Sequence, residues 1–371
     1  MRKSVPGLML CCAILAVLFA ACAPSKTVAP AALEASASSS TLTYTDPASY
    51  QLNEIDDARH KFPEGENYEW WYMDASFENG YSFVTAWHFM NTKVGGILMP
   101  VQVIQFSVYD PQGKKIGVAP VFMADKCSAS QTSCDVTMGN NHLKGNYPRY
   151  DVEFHEGNLG CKLTFENLTQ GYRYPPDAVT YFSREPVRYM GWAVAQPKAK
   201  VTGILIVDGK EIPVTGVGYH DHNWGNTLLN EIYSFWHWGR IMSGDYTFIY
   251  TVGESSKATG NKPVTALVTF KGRELADLTD KLNADYRDLA LDKLTGINYP
   301  QTMVMSVESP NVKGSVTNRV KKVVESELLP GMKEGAGNGY LRFLSDCDIK
   351  LDIKGEKIEA NAPLIHELIH F

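Results

Sequence analysis

Val214-Thr-Gly-Val-Gly-Tyr-His-Asp-His-Asn-Trp-Gly-Asn226 crowds two histidines, an aspartate, a tyrosine, a tryptophan and two asparagines between glycines. As an extended strand it alternates its side chains between two faces, so Tyr219, Asp221 and Asn223 project one way and His220, His222 and Trp224 the other. One face then carries a phenol, a carboxyl and an amide in line. Gly216, Gly218 and Gly225 mark bulges or close backbone approach, as where a strand bends around a ligand. A buried hydrogen-bond network that pins a sheet corner is the competing reading of the same residues.

Outward from this stretch the chain reads as all-β. Short alternating runs recur, as in Tyr81 to Met90, Val101 to Tyr109 and Lys115 to Met123, with Asp110-Pro-Gln-Gly113 joining the last two. Ile204 to Val207 and Glu211 to Val217 flank Asp208-Gly209, a two-residue hairpin signal. The pattern continues after the signature and closes with Asp346 to Ile353, a Lys-Gly-Glu turn and a last strand. Such meanders suit antiparallel barrels or sandwiches. Glu274 to Leu291, with leucines spaced among charges, fits either an amphipathic helix or strands.

The N-terminus reads as an export signal over residues 1–21: Arg2 and Lys3, an apolar run from Leu8 to Phe19, then Ala20-Ala21-Cys22. The run is too short for a spanning helix. Cleavage before Cys22 and lipidation of its thiol are expected, with Ala23 favouring the outer membrane, facing the periplasm. Residues 22–50, rich in Ala, Ser and Pro at their start, are expected to form a flexible tether. The net charge of −6, lowered by two on loss of Arg2 and Lys3, gives no nucleic-acid footprint. Cys127 and Cys134 lie close in sequence in a chain bound for an oxidising compartment, so a local disulfide is expected, while Cys161 and Cys347 fit either a pair or buried thiols.

The signature Gly-Tyr-His-Asp-His-Asn-Trp-Gly resembles that of the carotenoid 1,2-hydratase (hydroxyneurosporene synthase) and AttH-like family, which is related to fungal Diels-Alderases. Glu69-Trp70-Trp71-Tyr72 and Trp236-His-Trp-Gly-Arg240 resemble two further motifs of that family, in the same order. The resemblance runs from about Phe62 to Phe371 and implies two lipocalin-like antiparallel β domains, here residues 51–230 and 231–371. It also implies an acid role for Asp221, an orienting role for Tyr219, and no metal or cofactor. One departure stands out: Met190 occupies the position, two residues before Trp192, where the hydratases have a histidine.

Asp221 is the leading candidate for chemistry. Burial among Trp70, Trp71 and Trp192 raises a carboxyl pKa and leaves a neutral acid able to protonate an isolated alkene. The tertiary cation so formed is stabilised by aromatic faces, and water or a second alkene completes a hydration or cyclisation. His222 is expected to orient this set by hydrogen bonding. Trp70, Trp71, Tyr72, Trp192, Asn223, Trp224, Trp236 and Trp238 are expected to contact a small hydrophobic, isoprenoid-like substrate. Glu69 reads as a buried structural carboxylate. His220 and His222 with His237 offer a zinc reading that the resemblance does not support. His366-Glu-Leu-Ile-His370 matches a zinc-protease expression, but that motif works on a helix, and this segment alternates like a strand. The competing class is a lipid-binding module with the same aromatic pocket and no turnover. A serine hydrolase is disfavoured because no Gly-x-Ser-x-Gly elbow is present.

Overall fold

The computed structural model describes residues 47–329 and 331–371. The export signal, Cys22 and most of the expected tether lie outside the described residues. The end of that tether is ordered: Pro47–Tyr50 forms a 3-10 turn, and Tyr50 is buried with its ring stacked on Tyr174.

Two curled antiparallel sheets, each a half-barrel, make up most of the described residues. In the first, the order runs Lys115–Val118, Ile97–Tyr109, Ser82–Val94, Asn67–Phe77, Lys210–Gly225, Val187–Val207, Leu159–Asn167 and Arg149–Glu156, continuing through three short strands. In the second it runs Glu274–Thr279, Pro263–Lys271, Tyr246–Ser255, Tyr233–Ser243, Glu356–His370, Gly339–Ile353, Val312–Glu327, Asn298–Glu308 and Leu282–Leu291. The closure is the same in both. Asn67–Phe77 pairs with the late strand Lys210–Gly225, and Tyr233–Ser243 pairs with the late strand Glu356–His370. Among the described residues no helix is long and apolar enough to cross a membrane.

Local chemistry accounts for the register. Asp208 and Gly209 both take positive φ, which a two-residue hairpin needs, and they pair Val207 with Lys210. At Gly216 and Gly218 a Cβ would come within 2.1 Å of the Ser76 carbonyl and 2.5 Å of the Asp74 carbonyl, so the neighbouring strand lies too close for a side chain. Glu274 to Leu291 is two strands rather than a helix. Leu275 and Leu278 are buried in the first, the chain turns at Asp280-Lys281, and both strands are edges of the second sheet.

Alternation then partitions the side chains. Trp71, Met73, Ala75 and Phe77 fill the first half-barrel with Phe83, Trp87, Phe106 and Phe165. Ile241, Tyr250, Val252, Met303, Met305 and Ile349 fill the second. The opposite faces of the closing strands meet between the sheets: Trp70, Tyr72 and Asp74 from one side, Trp236, Trp238 and Arg240 from the other.

The expected disulfide does not form, because Cys127 is opposite Met138 while Cys134 lies four residues further along that strand. At about 3.3 Å per residue the separation exceeds the roughly 7 Å that a disulfide spans between Cα atoms. Cys127 donates instead to the Met123 carbonyl, and Cys161 and Cys347 are free buried thiols.

Candidate active site

Strand Lys210–Gly225 presents Asp221 and Asn223 to a cavity of about 150 Å³ between the sheets. Trp70, Tyr72, Trp192, Tyr233, Trp236 and Trp238 supply most of its aromatic wall, and Met190, Thr265 and Glu367 complete it with others. The Asp221 carboxyl is nearly fully buried. Its Oδ2 accepts from the Trp192 indole at 2.9 Å and from the Tyr219 hydroxyl at 2.7 Å, and its Oδ1 accepts from the Asn223 amide at 2.8 Å. Burial pushes its pKa up to about 6, against the pull of these donors and of the nearby His220. Oδ2 already meets two donors, so the acidic proton belongs on Oδ1, where the Asn223 amide can turn its oxygen to receive it. Tyr219 is itself buried, and burial beside Asp221 keeps its hydroxyl protonated.

The set is tied to the second sheet. Arg240 donates to Asp74 at 2.7 Å and lies 4.8 Å from the Tyr219 ring centre. The Tyr72 hydroxyl donates to Asp74 at 3.2 Å and accepts from Arg342 at 3.3 Å, and Arg342 also donates to Glu367 at 2.6 Å. These connections fix how the Asp221 face meets Trp236 and Trp238.

The other face of the strand does different work. His220, His222 and Trp224 point into the first half-barrel, on the face opposite Asp221, and His222 bonds to none of the Asp221 set that it is expected to orient. His222 Nε2 lies 3.1 Å from Glu69 Oε1, and its Nδ1 lies 3.2 Å from the Asp56 carbonyl. His220 bridges the Tyr72 carbonyl at 2.9 Å and Asp57 Oδ2 at 3.1 Å, contacts that its charged form, a donor at both ring nitrogens, would satisfy together. Burial opposes that charge, but Asp57 outweighs it and raises the pKa of His220. Glu69 is completely buried. Burial would raise its pKa, yet hydrogen bonds from His222 and His60 bring it to about 2, with Arg59 Nε at 3.1 Å.

Trp71 and Trp224 are likewise corrected. Adjacent tryptophans on one strand face opposite ways, so Trp70 lines the cavity while Trp71 stacks on His222 at 4.3 Å inside the half-barrel. Trp224 stacks on His60 at 3.8 Å, and Gly191 makes its seat, since a Cβ there would lie 2.0 Å from the indole. Among the described residues, two groups bring metal-ligating atoms within 4.8 Å of one another, the partly exposed His60 with Glu69 and His222, and the buried Asp57 with Cys134 and His220. The acid–imidazole contacts already described occupy both. His237 joins neither; it bonds to His366 inside the second half-barrel, and His366 and His370 lie on a strand.

Sequence reasoning missed Asp56 and Asp57, which end a 3-10 turn at Glu54–Asp57, and Arg59 and His60 just after it, which together cap the histidine face. It also missed Tyr174, Tyr233, Arg342 and Glu367. The dense charge of Glu54-Ile-Asp-Asp-Ala-Arg-His60 was the available signal for the first group. The second group comes from separate parts of the chain, a bend at Tyr174 and three strands of the second sheet, and has none.

Comparisons with known proteins agree with this architecture. The chain is 26% identical over 144 residues to the quinolone epoxide rearrangement protein penF of Penicillium thymicola, covering 38% of this chain and 39% of that protein. It is 24% identical over 232 residues to the hydroxyneurosporene dehydrogenase of Chlorobaculum tepidum, covering 53% of this chain and 59% of the relative. These matches therefore span less than two thirds of either relative. The crystal structure of kievitone hydratase from Nectria haematococca has the same fold, with a TM-score of 0.58 and 14% identity over 89% of this chain and 96% of that one. The Svf1 family model matches residues 19–335, and the chain belongs to the Svf1 family.

Proposed function

We propose that this protein is an enzyme that uses Asp221 as a general acid on an unsaturated, apolar, isoprenoid-like substrate held between the sheets. The observation that carries the reading is a buried carboxyl with a pKa raised to about 6 inside an aromatic cavity. The proton passes from Asp221 Oδ1 to an alkene carbon. The π pair forms the new C–H bond, leaving a tertiary cation and the Asp221 carboxylate. The indole faces of Trp192, Trp236 and Trp238 stabilise the cation, and the Trp192 and Tyr219 donors stabilise the carboxylate. Water adds to the cation and returns a proton to Asp221, for a net gain of one water. In a cyclisation a second double bond attacks instead, and the proton returns from carbon with no net change.

The relatives, an epoxide rearrangement protein and a structural neighbour that is a hydratase, support chemistry of this kind. Met190 lines the cavity where the hydratase resemblance places a histidine, which moves the reading away from carotenoid hydration as such. That same residue favours the second reading, a carrier that holds an apolar ligand without turnover.

A panel of terpenoid alkenes incubated with the protein and followed by mass spectrometry separates the two. Turnover with wild type should fall about a hundred- to ten-thousand-fold in Asp221→Asn, with affinity unchanged within a few fold. Binding without turnover in wild type would support the carrier. We further propose export and lipid anchoring at Cys22. Incorporation of a fatty-acid analogue should vanish in Cys22→Ser, and unchanged labelling would refute the anchor.

A further inference from the structure

The cavity beside Asp221 is small. About 150 Å³ is the space that accommodates one benzene ring, whereas sites for whole small-molecule ligands run to roughly 300–1,000 Å³. A second cavity of about 540 Å³ lies between the same two sheets, and Tyr72 and Trp238 line both. These two side chains form the partition, their ring centres 6.5 Å apart.

The partition is polar and incompletely satisfied. The buried indole N–H of Trp238 has no hydrogen-bond partner among the described residues, which disfavours the closed arrangement relative to a well-paired wall. Beyond it the chemistry changes. The small cavity offers aromatic faces and an acid, while the large one has apolar walls from Met242, Val324 and Leu364 together with Arg240, Arg342 and Lys322. Asp74 pairs with Arg240, and Glu367 and Glu325 pair with Arg342, but Lys322 makes no ion pair among the described residues.

We propose that the two cavities are subsites for one amphiphile longer than either. Its unsaturated apolar end, about one ring or one prenyl unit, sits beside Asp221, and its remaining chain and anionic head occupy the larger cavity past the Tyr72–Trp238 partition. The class is an unsaturated acid of isoprenoid type with a chain of about fifteen to twenty carbons, a length set by the combined space of the two cavities. The inference rests on the reading that the Asp221 cavity takes the reacting end, but its test is binding alone and does not depend on turnover.

The experiment is calorimetry on the full chain with three probes: geranic acid, geranylgeranoic acid and geranylgeraniol. Wild type should bind the twenty-carbon acid at least tenfold more tightly than the ten-carbon acid. Met242→Trp, which narrows the larger cavity from its wall, should weaken the long acid at least tenfold and leave the short one within twofold. Lys322→Gln should weaken the long acid several fold and leave the alcohol unchanged. Val324→Phe replaces Met242→Trp if the latter lowers the melting temperature, and Asp221→Asn should still bind the long acid. A folded narrowing variant with undiminished affinity, or with equal loss for both acids, would overturn the proposal. So would equal binding of acid and alcohol, or wild type that binds no probe.

Discussion

Asp221 and Glu69 are carboxyls of almost equal burial on neighbouring strands, yet the first is pushed up to about 6 and the second held at about 2. The difference lies in what each strand face offers. Asp221 meets neutral donors, an indole, a phenol and an amide, which do not offset the loss of water around a charge. Glu69 meets His222, His60 and Arg59, which more than offset it. Burial supplies the same push in both places, and the partners decide which group stays ionised. One strand therefore keeps a transferable proton on its cavity face and a balanced charge network on its barrel face.

The largest expected effect is on the barrel face. Glu69→Gln leaves the buried His222 and the partly exposed Arg59 and His60 around a neutral amide, and breaking a buried pair in this way costs up to about 3–5 kcal/mol. Thermal and urea melts should show that loss near pH 7. Because the folded pKa of Glu69 lies below its ordinary 4.5, its contribution is fully present above that pH and disappears as pH falls through about 2. The wild-type advantage over Glu69→Gln should shrink over that window.

Asp221 has the opposite sign. Its folded pKa lies above the ordinary 3.8, so the molecule is most stable with respect to this group below that pH and loses stability as pH rises through about 6. Asp221→Asn should therefore match or exceed the wild-type melting temperature at pH 8, with no advantage at pH 4. The Asn223 amide can turn to receive the new NH2, which keeps the site shaped. A variant that melts well below wild type at pH 8 would mean the carboxylate is structural.

A smaller effect is expected from Trp192→Phe. Removing a donor from the carboxylate disfavours its charged form, so the pKa of Asp221 should climb by about one unit or less. The upper limb of the pH–rate profile should move to higher pH by the same amount. Smallest of all, Cys127→Ser should change stability by less than about 0.5 kcal/mol, and thiol titration of the denatured chain should find Cys127 and Cys134 free.

The period-2 pattern of residues 219–224 was legible because a strand has two faces, and the structure sorts those six side chains as alternation requires. The same rule, applied to Trp70 and Trp71, would have sent the second into the core. Two tryptophans adjacent in a strand do not form one aromatic wall. Trp236 and Trp238, two residues apart, do share the cavity face. The partners of Glu69 and His220 were not legible, because the 3-10 turn at Glu54–Asp57 reaches them through tertiary packing and carries no periodicity of its own. The partition between the cavities depends on the docking of two sheets, a relation that no local pattern encodes.

The most direct measurement is a carboxyl-carbon NMR titration of protein labelled at Asp and Glu, with Asp221→Asn and Glu69→Gln for assignment. An Asp221 resonance titrating near 6 while Glu69 stays ionised down to about pH 2 is the expected result. An Asp221 midpoint at or below its ordinary 3.8 would leave no neutral acid in the cavity near neutral pH and would contradict the assignment of Asp221 as proton donor.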